Sequence, residues 1–206
     1  VLNHLGYTVH IPPTQTCCGA LHQHGGDTNT AIQLAQQNES AFKELNLNTI
    51  ITTSSGCGMH LTDYHSEFSS KIIDISKFLV SIGGWNNLKI TPLQDKVLVH
   101  DPCTLRNIIH SSKYPYELLM RIPEINVTPL ADNDQCCGAA GTYFLDQSAM
   151  AESLLNDKIS KISADTRYLA TSNTGCNMYI ASALQNIIPK LEILHPVTLL
   201  ARQINK

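Results

Sequence analysis

Nothing in these 206 residues approaches the run of about 20 apolar residues that a membrane span needs, and the first positions lack the basic-then-apolar layout of a secretory leader. Charge is scarce as well. Only 15% of residues are Asp, Glu, Lys or Arg, the net charge is -3, and no stripe of Lys and Arg or block of like charge occurs. Without cations to neutralise phosphates, nucleic acid is not an expected partner. An even set of cysteines is also missing: there are seven, and neither Cys17-Cys18 nor Cys136-Cys137 can pair within itself without strain. A disulfide framework is therefore not expected. A soluble protein of a reducing, cytoplasmic compartment is, and there clustered cysteines read first as metal ligands and second as redox thiols. With 43% apolar content the chain is long enough for one large core or two small ones, and two are expected.

All seven cysteines fall inside one duplicated pattern. Asp101-Pro102-Cys103, Gln135-Cys136-Cys137-Gly138 and Thr174-Gly175-Cys176-Asn177-Met178-Tyr179 form the fuller copy; Thr16-Cys17-Cys18-Gly19 and Ser55-Gly56-Cys57-Gly58-Met59-His60 form the other. Cys136 stands 119 positions after Cys17, and Cys176 stands 119 after Cys57. Buried structural cysteines have no reason to repeat in register, so the register argues for a shared task. At the same offset, the counterpart of Cys103 would fall about sixteen positions before Val1, and the sequence reads as beginning inside its first repeat. The repeats are expected at 1–90 and 91–206, with the boundary in the Gly-, Asn- and Pro-bearing stretch 83–94.

Short β-branched runs alternate with amphipathic stretches. Strands are expected near 7–11, 49–52, 71–73, 96–100, 125–127, 167–171 and 191–194. Helices are expected over about 30–45 with Ile32, Ala35, Phe42 and Leu45 on the inner side, after Asp74 with Phe78, Leu79 and Ile82 inward, near Pro115, through Leu155, Ile159 and Ile162, and from Pro196. This is the pattern of an α/β fold built of two pseudo-repeated halves with largely parallel sheets. Cys57, Cys103 and Cys176 each follow a strand, so the thiols gather at the carboxyl ends of strands, where ligands sit in such sheets and helix N-termini favour anionic groups.

On the residues alone, Cys103, Cys136, Cys137 and Cys176 supply four thiolates from three loops, the ligand set of an iron-sulfur centre. Cys17, Cys18 and Cys57 supply three, with His60 available as a fourth donor. Zinc is the alternative occupant. Histidines 22, 24, 65, 100, 110 and 195 are scattered and read as surface or packing residues, with His22 or His24 the ones able to approach the first site. Arg106 is placed either to balance the charge of a cluster or to face solvent. The loop Gly138-Ala139-Ala140-Gly141 lacks the spacing of a nucleotide cradle.

The Cys-Cys-Gly motifs, each followed 38 residues later by Gly-Cys, resemble the duplicated cysteine-rich CCG domain of heterodisulfide reductase and of many iron-sulfur oxidoreductase subunits. Asp-Pro-Cys-Thr-Leu at 101–105, Cys-Cys-Gly-Ala-Ala-Gly-Thr-Tyr at 136–143 and Ser-Gly-Cys-Gly at 55–58 resemble most the glycolate oxidase iron-sulfur branch of that family. The resemblance implies a four-iron cluster and an upstream ferredoxin-like domain. It further implies a flavoprotein partner that oxidises glycolate or a related 2-hydroxy acid, and onward passage of electrons to a membrane acceptor. The protein would touch the inner face of the cytoplasmic membrane only through that complex, and this stretch would have no substrate turnover of its own. Disulfide reduction and a zinc-held docking role are the other functions it admits. The complete family motif holds its cluster with five cysteines, of which Cys103, Cys136, Cys137 and Cys176 match four; His60 and Tyr179 stand where the last cysteine of each repeat is expected.

Overall fold

The computed structural model describes residues 1–43, 45, 47–64 and 67–204. A 3-10 turn at Asn3–Leu5 closes on Gly6, and helices α1 (Ala20–His24) and α2 (Thr28–Lys43) follow. Next come β1 (Ile50–Thr52), α3 (Ser55–Thr62), α4 (Glu67–Ser70), β2 (Ile72–Asp74) and α5 (Ile75–Ser81). Beyond a 3-10 turn at Trp85–Asn87 lie β3 (Lys96–His100), α6 (Cys103–Asn107), α7 (Lys113–Leu119) and β4 (Asn126–Pro129). The chain ends through α8 (Tyr143–Asp146), α9 (Ser148–Ile159), β5 (Tyr168–Thr171), α10 (Thr174–Leu184), β6 (Glu192–Leu194) and α11 (Pro196–Gln203). All paired strands are parallel, β1 with β2 in one sheet and β4-β3-β5-β6 in the other. The architecture is thus α/β with parallel sheets in two groups. Among the described residues no helix is long and apolar enough to cross a membrane.

Local chemistry accounts for most boundaries. Val97, Leu98 and Val99 are buried, as befits a strand covered on both faces. Asp74 caps α5 by accepting from the backbone N–H of Ser76 at 2.9 Å and of Lys77 at 3.1 Å. Pro196 opens α11, where its fixed φ suits a first turn, and His195 Nδ1 accepts from Val197 N at 3.1 Å.

Two expectations fail. Residues 7–11 are not a strand. Their counterpart β4 pairs with β3 alone, and among the described residues the first sheet consists of β1 and β2, with no equivalent of β3. Tyr7 instead packs edge-on against Phe78, with ring centroids 5.3 Å apart. On α2, Ile32 is exposed, and the buried positions are Ala31 and Asn38. The Cys-Cys-Gly loop crosses this helix closely enough to admit only a small side chain at 31, and it recruits Asn38 for hydrogen bonds. The expected helix reached into residue 44, and His65 was among the histidines considered; both lie outside the described residues.

The larger core draws on both halves of the sequence. Ile75 and Leu79 from α5 pack with Val97 and Val99 from β3, Leu118 and Leu119 from α7, and Leu199 and Leu200 from α11. The stretch between the halves is pinned to it: Thr91 N donates to Gln203 O at 2.8 Å, Leu93 N to Pro123 O at 3.0 Å, and Ile90 bridges Ile204. A second core of Leu98, Leu155, Leu169, Ile180 and Leu184 carries Cys137 and Cys176 at its edge.

Candidate metal centre

Four thiols meet beyond the carboxyl ends of β3 and β5. Cys103 opens α6, Cys176 lies in the first turn of α10, and Cys136-Cys137 occupy the loop before α8. Cys137 Sγ stands 3.0 Å from Cys176 Sγ, Cys136 is hydrogen-bonded to both Cys137 and Cys103, and all four are free thiols. Sequentially, then, the sulfurs form one chain: Cys103, Cys136, Cys137, Cys176. Cys136 is its anionic member. Hydrogen bonds from Cys103, from Cys137 and from Gly138 N hold its pKa well below the usual thiol range against burial. Its donors move the other way, the thiols of Cys103 and Cys137 being raised by that bonding and by burial.

Backbone and side-chain straps fix these loops. Asn133 Nδ2 donates to Val99 O at 2.8 Å while its Oδ1 accepts from Asp101 N at 3.1 Å, tying the Cys103 turn to the Cys136 loop. Arg106 donates to the carbonyls of Asn133 and Asp134, so its guanidinium clamps the same loop. Gly138 has φ 87°, and a Cβ there would lie 2.5 Å from Ala151 O. Only glycine allows the loop to turn against α9 in this way, which explains the third residue of the motif. Asn173 caps α10 by accepting from Cys176 N at 3.2 Å, and its amide donates to Ser55 Oγ at 3.1 Å. Thr104 Oγ1 donates to the same Ser55 Oγ at 2.8 Å. The residues that position Cys57, Cys103 and Cys176 therefore share one hydrogen-bond knot.

The first half repeats the construction with fewer sulfurs. Cys18 and Cys57 are hydrogen-bonded to each other. Gly19 N donates to Cys17 Sγ at 3.5 Å, as Gly138 N does to Cys136 Sγ at 3.4 Å. Gly19 has φ 85° and faces the backbone of Ala31, as Gly138 faces Ala151. Asn38 accepts from Thr16 N at 2.8 Å and donates to Cys17 O at 3.0 Å, and Tyr64 OH donates to Cys18 O at 2.7 Å. The hydrogen bond with Cys18 lowers the pKa of exposed Cys57 to about 7. The His60 ring meets Tyr64 edge-on at 5.6 Å and lines a groove with Gln23 and Asp63. His22 pairs with Asp27 at 3.3 Å, and His24 lies against Gly141.

His100, one of the histidines that the sequence reads as surface or packing residues, is buried beside the thiols. It ends β3 with only 2% of its surface exposed, and a ring nitrogen lies with Cys137 Sγ and Cys176 Sγ in a group whose donor atoms are all within 4.8 Å of one another. Burial, reinforced by the Lys158 cation, lowers its pKa to about 3, so the ring is neutral. The available signal was His100 three positions before Cys103 at a strand tip. Tyr179, by contrast, packs its ring against Phe144 at 5.5 Å.

The donor chemistry fits a thiophilic metal. Four thiols and an imidazole converge, and the tight group includes no carboxylate. Ligands of one ion, at about 2.3 Å for sulfur and 2.0–2.1 Å for nitrogen, stand less than about 4.6 Å apart, comparable with the span of the trio.

Comparison with known proteins adds three observations. The cysteine-rich domain family designated CCG matches residues 1–62 and 97–181. A probable glycolate oxidase iron-sulfur subunit of Bacillus subtilis is 33% identical over 211 residues, covering 95% of this chain and 48% of that protein. An iron-sulfur protein of Methanococcus maripaludis is 34% identical, covering 89% and 37%, and lactate utilization protein A 2 of Bacillus cereus is 26% identical, covering 100% and 90%. The chain thus spans about half the length of the Bacillus subtilis relative.

Proposed function

The chain belongs to the cysteine-rich CCG domain family, and from that premise we propose that it is the cysteine-rich part of an iron-sulfur subunit in a 2-hydroxy-acid-oxidising system. The observation that carries this reading is the unbroken series of four thiols from three loops. When bound, a four-iron cluster would supply one-electron transfer. Cys103, Cys136, Cys137 and Cys176 are its proposed ligands, with Arg106 and Asn133 holding the loops that present them. Residues 1–90 and 91–206 are taken as the two repeats, and Cys17, Cys18 and Cys57 form the corresponding group of the first. His60 is its proposed fourth donor. A flavoprotein subunit that oxidises glycolate, lactate or a similar acid is the proposed electron source, an upstream ferredoxin-like domain the relay, and a membrane acceptor at the cytoplasmic face the sink. The names of the Bacillus relatives support the class of fuel.

Anaerobic reconstitution with ferrous iron and sulfide tests it. About four iron and four sulfide per chain are expected in the second half, with a visible absorbance that Cys136→Ser abolishes. Retention of full iron by that variant would refute the ligand assignment. Zinc is the second reading, favoured by the single-ion span of the His100, Cys137 and Cys176 group. Zinc bound from a mixture of zinc, iron and sulfide would make the chain a docking module. Direct disulfide reduction has less support: the cavity of about 450 Å³ beside α10 is lined by Thr171, Asn173, Thr174, Asn177 and His195 among others, and by no cysteine.

A further inference from the structure

We propose that His100 is a metal ligand of the second-half centre, completing with Cys103, Cys136, Cys137 and Cys176 a set of five donors. The inference rests on the reading of that centre as a metal site, but not on which metal fills it. Three observations lead to it. First, the His100 ring is buried with a nitrogen in the tight group formed with Cys137 Sγ and Cys176 Sγ. Second, Nδ1 is 2.9 Å from Thr171 Oγ1 at the neighbouring position of β5, so one ring nitrogen is already engaged. With the proton on Nδ1 and donated to that hydroxyl, Nε2 keeps its lone pair for a metal, the arrangement in which an outer partner sets both the tautomer and the ring orientation of a ligating histidine. Third, the donor comes from an element no cysteine occupies. His100 sits on β3 itself, whereas Cys103, Cys136-Cys137 and Cys176 come from the segments that follow β3, β4 and β5.

Tyr179, at the position of the missing fifth cysteine, is packed against Phe144. A fifth donor from β3 therefore restores the number of ligands without restoring the thiolate. Replacing a thiolate by a neutral imidazole leaves the centre one negative charge lower in magnitude. Such a change raises the reduction potential of an iron-sulfur centre, as histidine ligation does elsewhere.

X-ray absorption at the edge of the bound metal tests the proposal. The chain is loaded anaerobically with ferrous iron plus sulfide, or separately with zinc chloride, and adventitious metal is removed with a chelator. The unaltered protein is expected to show an imidazole nitrogen shell at about 2.0–2.1 Å beside sulfur at about 2.3 Å. His100→Asn, whose amide can still reach Thr171, should lose that shell and bind metal at least roughly tenfold more weakly. Thr171→Val keeps the imidazole but removes its anchor, and should retain the shell with a disordered scattering pattern. An all-sulfur shell in the unaltered protein overturns the role of His100 while leaving the thiolate centre standing. Zinc uptake with a nitrogen shell, without iron and sulfide, supports His100 and overturns the electron-transfer reading. Uptake of neither metal overturns both.

Discussion

An accessible cysteine that ionises near neutrality is a reactive one, and Cys57 meets both conditions. In metal-free protein its alkylation rate should rise through an apparent pKa near 7. Cys18→Ala, which removes the hydrogen bond that stabilises the thiolate, should move that midpoint upward; an unmoved midpoint would show that Cys18 is not the cause. Two histidines withdrawn from solvent, the buried His100 and the half-buried His195, give the fold a separate response to acid. Burial lowers the pKa of His100 to about 3 and that of His195 to about 4, while the unfolded chain protonates near 6.5. Below that pH the unfolded state takes up protons that the folded state refuses, so stability falls as pH drops from about 6.5 toward the folded values. At pH 5 each histidine should cost about 2 kcal/mol relative to pH 7.5. Urea denaturation at the two pH values checks this, and His195→Asn, which can still cap α11, should remove about half of the difference. These residues also mark how far the site was legible. Six cysteines in register, with Cys103 beside them, announced themselves, because a repeated spacing survives in the sequence whatever the fold does with it. His100, Asn133 and Asn38 did not, since each acts on a loop that only the tertiary fold brings to it.

Among elements, the Cys-Cys-Gly turns are the least tolerant of change. Gly138→Ala must force a Cβ to 2.5 Å from Ala151 O while keeping φ at 87°, and roughly 3 kcal/mol of destabilisation is expected from clash and backbone strain together. Gly19→Ala meets Ala31 O at 3.2 Å, so its cost should be closer to the 1–2 kcal/mol of the left-handed conformation alone. Comparing the two by urea denaturation, with thiol accessibility of Cys137 as the local readout, tests whether α9 is what enforces the glycine. Equal costs would mean that φ alone matters. The strands were readable at this scale because β-branched runs such as Ile50–Thr52 are short, apolar and bounded by polar turns. The helices α3, α6 and α10 were not, for their first turns spell Ser-Gly-Cys, Cys-Thr-Leu and Thr-Gly-Cys, with little apolar periodicity to reveal them. They form because Asn173 caps one of them and the shared knot of Ser55, Thr104 and Asn173 holds all three. The segment 7–11 differs in the other direction: its alternation is real, but among the described residues no strand pairs with it.

At the scale of the whole molecule, the duplication seen in the sequence suggests two independent cores, whereas the packing joins them. Leu79, in the proposed first repeat (1–90), is fully buried among side chains of α7, α11 and β3 from the proposed second. The sole tryptophan reports on that junction. Trp85 Nε1 donates to Leu79 O at 3.2 Å and to Ile82 O at 3.1 Å, and the Arg121 guanidinium lies 4.4 Å from the centre of its ring. Removing either repeat would strip apolar partners from the other, so the chain should unfold in one cooperative step. Tryptophan fluorescence and far-ultraviolet circular dichroism should then give superimposable urea transitions in the metal-free protein. Leu79→Ala should shift both by the same amount, at a cost of about 3 kcal/mol. Two separated transitions, with fluorescence following only one of them, would show that the repeats fold alone and that the shared core is merely a contact between finished domains. A single transition has a consequence for the thiols: the hydrogen-bond knot at Ser55, Thr104 and Asn173 spans both repeats, so any event that loosens one cysteine group must be felt at the other.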